Sequence, residues 1–287
     1  MRRVGAFVSI VDRAVRLRGV ALVGVCNVTP DSFSDGGEWL DPAAAKARID
    51  ALVAEGADIV DIGGESTRPG AKPVPAAAQL ERVLPAIRYA RERALVSIDT
   101  TEATVAAACL EAGASAINDV SCLRDPALAD VANKYDAALW IMHSRGTQEK
   151  MIDFSVHPDD AYGDVVEDVL REWAVAAECA RSRGVAEDAL VFDPGLGFSK
   201  NARHSRELLA RTRDLVARVE AGVPVLVGAS RKSFLKFVDE KASPTERLGA
   251  SIGAAIHAWQ SGAKLLRVHD VRATRQAIDV MRGVQNA

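Results

Sequence analysis

Asp99, Asn118 and Asp193 each end a short apolar run, and Lys232 follows another such run after Gly-Ala-Ser-Arg. Two carboxylates, an amide and an ammonium suit a flat, nitrogen-rich heterocycle. Carboxylates and an amide carbonyl accept from ring N–H and amino groups, while the amide NH2 and the ammonium donate to ring nitrogens and carbonyls. Such a set discriminates strongly, because an analogue lacking one group leaves a buried partner unpaired. Asp193 could instead be a turn residue before Pro194, and Lys232 a solvated charge; the glycines beside both favour a site. Arg267, His269 and Asn27 form a second group. A guanidinium fork and an imidazole suit an anion, and the Asn27 carbonyl suits a hard cation. A diphosphate with Mg2+ would satisfy all three, although Asp270 could pair with His269 and leave it structural. His143 is read as lining or supporting the site, and His157, His204 and His257 have no partners that can be named.

Composition limits what such a site can serve. A chain of 287 residues with 48% hydrophobic content can bury a large core, as two ordinary domains or as one α/β barrel. With 36 Lys and Arg against 39 Asp and Glu the net charge is -3, without the basic excess of a nucleic-acid surface. The four cysteines lie far apart with no C-x-x-C pair, which points to free thiols in a reducing cytoplasm and away from a zinc cluster or redox motif. No apolar run approaches the roughly 20 residues of a membrane span. The expectation is a soluble, cytoplasmic protein with neither membrane nor nucleic acid as partner.

These residues need elements to bring them together. Residues 4–17 alternate loosely and predict a strand or hairpin, so that residues 1–19 read as an N-terminal extension. Arg2-Arg3 before an apolar run imitates a signal peptide, but Asp12-Arg13 cut it short. Beyond it, apolar strands alternate with helices, and strand ends fall near residues 27, 61, 99, 119, 143, 193, 228 and 269. Asp41-Pro42 and Asp125-Pro126 predict helix starts with proline at the first helical position, and Ser243-Pro244-Thr245-Glu246 reads as a capping box. Eight alternating units without a linker imply one (β/α)8 TIM barrel over residues 1–287, α/β in class. Barrel sites gather at the C-terminal strand ends, where the polar residues lie. A strand end is also simply where solvent begins, but that explanation weakens when nearly every end is polar. The segments 27–37 and 63–70 read as rim loops that could close over substrate, and neither a P-loop nor a dinucleotide fingerprint is present.

Seven motifs occur in order over about residues 20–280: Asn-Val-Thr-Pro-Asp-Ser-Phe-Ser-Asp-Gly-Gly at 27–37, Gly-Gly-Glu-Ser-Thr-Arg-Pro-Gly at 63–70, Ser-Ile-Asp-Thr at 97–100, Ile-Asn-Asp at 117–119, Asp-Pro-Gly-Leu-Gly-Phe at 193–198, Gly-Ala-Ser-Arg-Lys-Ser at 228–233 and Arg-Val-His-Asp at 267–270. In these the chain resembles the dihydropteroate synthases, folate-pathway transferases inhibited by sulfonamides. The resemblance implies joining of 6-hydroxymethyl-7,8-dihydropterin diphosphate to 4-aminobenzoate with release of diphosphate. It implies Asp99, Asn118, Asp193 and Lys232 on the pterin, Thr67, Arg267 and His269 toward the diphosphate, and Asn27 as ligand to a Mg2+ cofactor. Phe33, Thr67, Arg68, Pro69, Phe198, Lys232 and Ser233 would form the aminobenzoate pocket once the first two loops close. Asp99, Asp193, Lys232 and Arg267 would carry catalysis by dissociative substitution, pterin would bind first, and the enzyme would be a homodimer. Met142-His143-Ser144-Arg145-Gly146-Thr147 departs from the family's Met-His-Met-Gln-Gly, and Cys26 replaces a larger aliphatic residue. A pterin-binding methyltransferase or a non-catalytic paralogue are the rivals; Thr67-Arg68-Pro69 and Ser233 oppose the first, and Asn27, Arg267 and His269 the second.

Overall fold

In the computed structural model of the chain, residues 3–29, 42–65, 74–146 and 157–285 are described. The expected contacts of Phe33, Thr67, Arg68 and Pro69 lie outside them, as does Thr147.

Eight strands, β1 (Ala21–Asn27), β2 (Ile59–Gly63), β3 (Leu95–Asp99), β4 (Ala116–Asp119), β5 (Ala138–Met142), β6 (Leu190–Asp193), β7 (Leu226–Val227) and β8 (Leu265–Val268), pair in parallel in the order β6-β5-β4-β3-β2-β1-β8-β7. A single parallel bridge, Phe192 to Val225, with the Phe192 N–H donating to Pro224 O at 3.0 Å, joins β6 to β7 and closes the barrel. The closure is this slight because Pro224 offers a carbonyl but no N–H to the ladder. The seventh strand is therefore two residues long, where the apolar run 223–227 predicts five.

Helices follow the strands: α2 (Pro42–Glu55), α3 (Ala76–Ala90), α4 (Ala103–Ala112), α5 (Ala127–Tyr135), α6 (Val165–Ser182), α7 (Ala202–Ala210), α8 (Thr212–Arg218), α9 (Leu248–Gln260) and α10 (Val271–Gln285). Outward strand residues such as Leu22, Val60, Ile98 and Ile117 pack against the helices' apolar stripes in the main core. Two helices, α7 and α8, fill the β6–β7 crossover where strict alternation predicts one. Asp125 accepts from Ala127 N at 3.0 Å, but Pro126 is the N-cap of α5 and makes no side-chain cap bond, so the helix starts one residue later than expected. The capping box forms only in part: Glu246 accepts from Ser243 N at 2.8 Å, yet residues 244–247 make a turn and α9 starts at Leu248.

The N-terminal segment corrects the sequence reading. Residues Arg3–Arg18 form a helix, α1, in place of a strand or hairpin. Its buried residues Val4, Phe7, Val11 and Ala14 recur at three- and four-residue intervals, the helical period that the loose alternation masks. Phe7, Val11 and Ala14 of that stripe meet the lower inward residues of the barrel, among them Val23, Ile59, Leu95, Trp140, Val191 and Leu265, in one apolar cluster. The Phe7 and Trp140 rings lie 5.9 Å apart, and Phe7 is 1% exposed. Burying such a ring contributes about 1.5–3 kcal/mol. Arg3 ties the helix to the barrel rim by donating to Tyr135 O at 2.8 Å and Leu110 O at 3.1 Å. Among the described residues, no helix is long and apolar enough to cross a membrane.

Candidate active site

Parallel pairing sets Asn27 beside Gly63, Gly63 beside Asp99 and Asp99 beside Asn118 at the C-terminal strand ends. Gly63 stands between Asn27 and Asp99, where a Cβ would make ordinary contact, 3.4 Å from Asn27 Oδ1 and 3.5 Å from Asp99 Cβ. One level deeper lies Asp61, 0% exposed inside an otherwise apolar strand. It accepts from Ser97 Oγ at 2.6 Å, from Asn118 Nδ2 at 3.1 Å and from Arg267 Nε at 2.7 Å. Arg267 also donates through Nη2 to Asp99 Oδ2 at 2.9 Å. Among the described residues Asp99 Oδ1 is buried without a hydrogen-bond partner, an acceptor held ready for a ligand's donor.

The opposite wall comes from β6 and β7. Asp193 Oδ1 accepts from Gly195 N at 2.7 Å, and Lys232 Nζ donates to Leu196 O at 2.5 Å and stands 4.7 Å from the centre of the Phe198 ring. The turn that brings the Gly195 N–H to Asp193 needs its glycine: φ is +67°, and a Cβ there would meet His143 O at 2.0 Å. Phe198 packs with Val120 and Met142 as a small apolar patch. Ser233, half-buried, opens the short 3-10 segment after Lys232. The structure thus gathers Asn27, Asp99, Asn118, Asp193, Phe198, Lys232, Ser233, Arg267 and His269 at one barrel mouth.

Electrostatics follow from burial in this confined space. Burial pushes Asp99 up to about 7, against the pull of Arg267 and with the help of Asp61. Asp193 is likewise raised by burial, opposed by Lys232 and by the Gly195 N–H. Burial lowers Lys232 to about 8, with Asp193 opposing. For Arg267 the cost of burial is outweighed by Asp61 and Asp99, which hold it above its usual range. Burial and then Arg267 lower His269 to about 3, so its ring is neutral. Its Nδ1 lies 3.1 Å from Ser230 Oγ, which also takes the His269 backbone N–H at 3.2 Å. The hydroxyl then donates to Nδ1 and leaves the ring proton on Nε2. Asp270 is paired with Arg231 at 2.6 Å, so the alternative in which it holds His269 does not form.

Two contributors are missing from the sequence reading. Asp61 was legible only as an acidic residue interrupting Ile59-Val60 and Ile62. Lys200, fully buried, donates to Phe198 O at 2.9 Å and to His143 O at 3.2 Å and meets His143 Nδ1 at 2.9 Å. Burial lowers it to about 7, yet three surrounding acceptors match the three donors of an ammonium. His143 turns Nε2 to Glu172 at 3.0 Å, so it supports the β6 loop. Arg145, in the segment that departs from the family pattern, pairs with Glu172 and stacks 3.9 Å from the Tyr162 ring centre. Its guanidinium reinforces the same support from outside. Cys26 is buried in the main core, where it packs.

The family model for pterin binding enzymes matches residues 23–269. A dihydropteroate synthase of Mycobacterium leprae is 43% identical over 274 residues, covering 92% of this chain and 93% of that protein. One from Synechocystis is 38% identical over 262 residues, covering 90% and 88%. A probable bifunctional folylpolyglutamate synthase/dihydropteroate synthase of Haloferax volcanii is 42% identical over 265 residues, of which this chain spans 30% of the length. Among solved structures, the Xanthomonas albilineans dihydropteroate synthase with 4-aminobenzoic acid superposes with a TM-score of 0.84 at 40% identity, covering 93% of this chain and 94% of that one. The Burkholderia cenocepacia enzyme complexed with 7,8-dihydropteroate gives 0.82 at 39%, covering 93% and 92%. A polar mouth on a (β/α)8 barrel, matched along nearly its whole length by these proteins, leaves one conclusion: the chain belongs to the dihydropteroate synthase family of pterin-binding enzymes.

Proposed function

We propose that the chain transfers the dihydropterin-methyl group of 6-hydroxymethyl-7,8-dihydropterin diphosphate to 4-aminobenzoate and releases diphosphate. The observation that carries this reading is the mouth's polarity. Asp99 Oδ1 is an unpartnered buried acceptor, Asp193 adds a second carboxylate, and Lys232 supplies a donor across from them. A ring with several N–H donors along one edge and a carbonyl opposite completes these hydrogen bonds.

In this reading Asp99, Asn118, Asp193 and Lys232 would grip the pterin. Their carboxylates would also stabilise positive charge that develops on the ring and its exocyclic methylene as the bond to diphosphate breaks. Arg267 and His269 Nε2–H would donate to the leaving group, with Thr67 beside them. An aromatic amine attacks in its neutral form, so no base need remove a proton beforehand. Phe198, Ser233 and Lys232, with Phe33, Thr67, Arg68 and Pro69, would enclose 4-aminobenzoate.

Mg2+ fits the donors at hand. Asn27 offers an uncharged oxygen next to Gly63, which lies one strand away from Asp99, and would hold a small hard cation through that oxygen. Bound there, it would offset the charge of the departing diphosphate. A homodimer and a reducing cytoplasm belong to the same proposal; four cysteines free of disulfides support the latter.

An assay with both substrates that follows diphosphate release is the test, and binding of pterin diphosphate without release would favour a non-catalytic binder. Asp193→Asn should lower kcat by about 100-fold or more, the scale of losing one charge-stabilising group; turnover within a few-fold of wild type would count against the mechanism. Pterin diphosphate should bind first, and tight binding of 4-aminobenzoate to the free protein would overturn that order.

A further inference from the structure

Asp61 lies beneath the mouth, sealed at 0% exposure, yet it governs what the mouth presents. Oδ1 is taken by the Ser97 hydroxyl, and Oδ2 by Asn118 Nδ2 and Arg267 Nε. A carboxylate accepts and does not donate. Asn118 must therefore turn its nitrogen down toward Asp61, and its Oδ1 is left facing the other way. Among the described residues that oxygen takes no hydrogen bond from the protein. Arg267 is oriented by the same oxygen: Nε goes to Asp61 and Nη2 to Asp99, so Nη1 is left for a ligand.

We infer that Asp61 is the positioning residue that fixes the hydrogen-bonding polarity of the site. By holding the Asn118 nitrogen it commits Asn118 Oδ1 to accept, so a ring with an N–H or amino edge is taken and a ring with a carbonyl there is refused. The amide of Asn118 alone could serve either ring by turning over. The interior carboxylate removes that freedom, which the Asp99, Asn118, Asp193 and Lys232 set does not itself explain. The inference rests on the pterin reading and supplies the reason its polarity is fixed.

The test is a ratio of affinities. Calorimetry on the full chain compares 2-amino-4-oxopteridine with 2,4-dioxopteridine, which carries a carbonyl in place of the amine. Wild type prefers the amino ring, and in Asp61→Asn, where residue 61 can donate to Asn118 Oδ1, the preference falls at least tenfold. Both rings weakened alike, with the ratio kept, would overturn the inference, because lost packing alone moves them together. A wild type without preference would overturn the pterin reading itself. Should Asp61→Asn not fold, the wild type answers by NMR with 15N-labelled asparagine side chains, the Asn118 pair being identified by its loss in Asn118→Ser. The inference requires an Nδ2 proton protected from exchange before any ligand is added. A pair that exchanges freely until 2-amino-4-oxopteridine is bound would overturn it.

Discussion

The lower and upper halves of the barrel interior are built from the same parallel strands by the same alternation, yet they are opposites. Below, Val23, Ile59, Leu95, Trp140, Val191 and Leu265 meet Phe7 and Val11 of α1 without an ionisable side chain among them. Above, two residues further along β2 and β3, Asp61 and Ser97 replace Ile59 and Leu95, and Arg267 follows Leu265 on β8. Each half holds an unpartnered buried polar atom, Trp140 Nε1 below and Asp99 Oδ1 above. The first is a standing cost behind α1, and the second is in reach of a ligand. The lower layer can hold its shape by dispersion and area, whereas the upper layer is held by directional bonds whose members are also the site. Stability and chemistry are thus separated by a rise of one or two strand residues, about 3.3 Å each.

Substitutions in the two layers should show that separation. Arg267→Met strands the carboxylates of Asp61 and Asp99 and should cost about 3–5 kcal/mol in denaturant unfolding together with nearly all activity. A change below about 1 kcal/mol would mean that the upper network does not support the barrel. Phe7→Ala should cost about 3–4 kcal/mol of stability by opening a cavity, while kcat/KM of the folded protein stays within two-fold; a large kinetic effect would break the separation.

The pH dependence should come from above. Burial, then Lys200, lowers His143 to about 4 from an ordinary 6.5, with Glu172 opposing. Between those values the unfolded chain holds a proton that the folded protein does not, so His143 makes stability rise with pH from about 4 to about 6.5 and stay level above. The maximum slope is about 1.4 kcal/mol per pH unit. Comparing wild type with His143→Gln isolates it, because the opposite slope from Asp99, raised by burial to about 7, is common to both. Equal slopes in the two proteins would refute the assignment. The smallest effect belongs to Arg3→Met, which removes two bonds to main-chain carbonyls and should cost about 1 kcal/mol, with KM for both substrates unchanged.

Much of this was legible in the chain because local chemistry coincides with position. Asp99, Asn118 and Asp193 stand at the ends of apolar runs, and a run's end is where a barrel strand meets its mouth. Glycines 64 and 195 announce close approach, and structure gives them that use: a Cβ would stand 2.7 Å from Val83 Cγ1 at the first and 2.0 Å from His143 O at the second. Where two readings were equally local, the sequence did not separate them. The strand or hairpin read into residues 4–17 became α1 because the lower end of the barrel, opposite the mouth, selects the helical stripe of Phe7 and Val11. The capping box yielded a turn, with the helix starting only at Leu248.

Sequence by itself determined the eight βα units, the strand ends and the family, since each is written in runs of neighbouring residues. Only the tertiary structure decided that Asp61 and Lys200 are part of the site's construction. Asp61 reads as one acid in an apolar strand, and its meaning comes from Arg267, 206 residues away along the chain. Lys200 carries no signal in the sequence, and its part becomes visible only when three acceptors close around it. A buried charge is tolerated only by partners brought from other strands, and chain order says nothing of which strands become neighbours across a barrel.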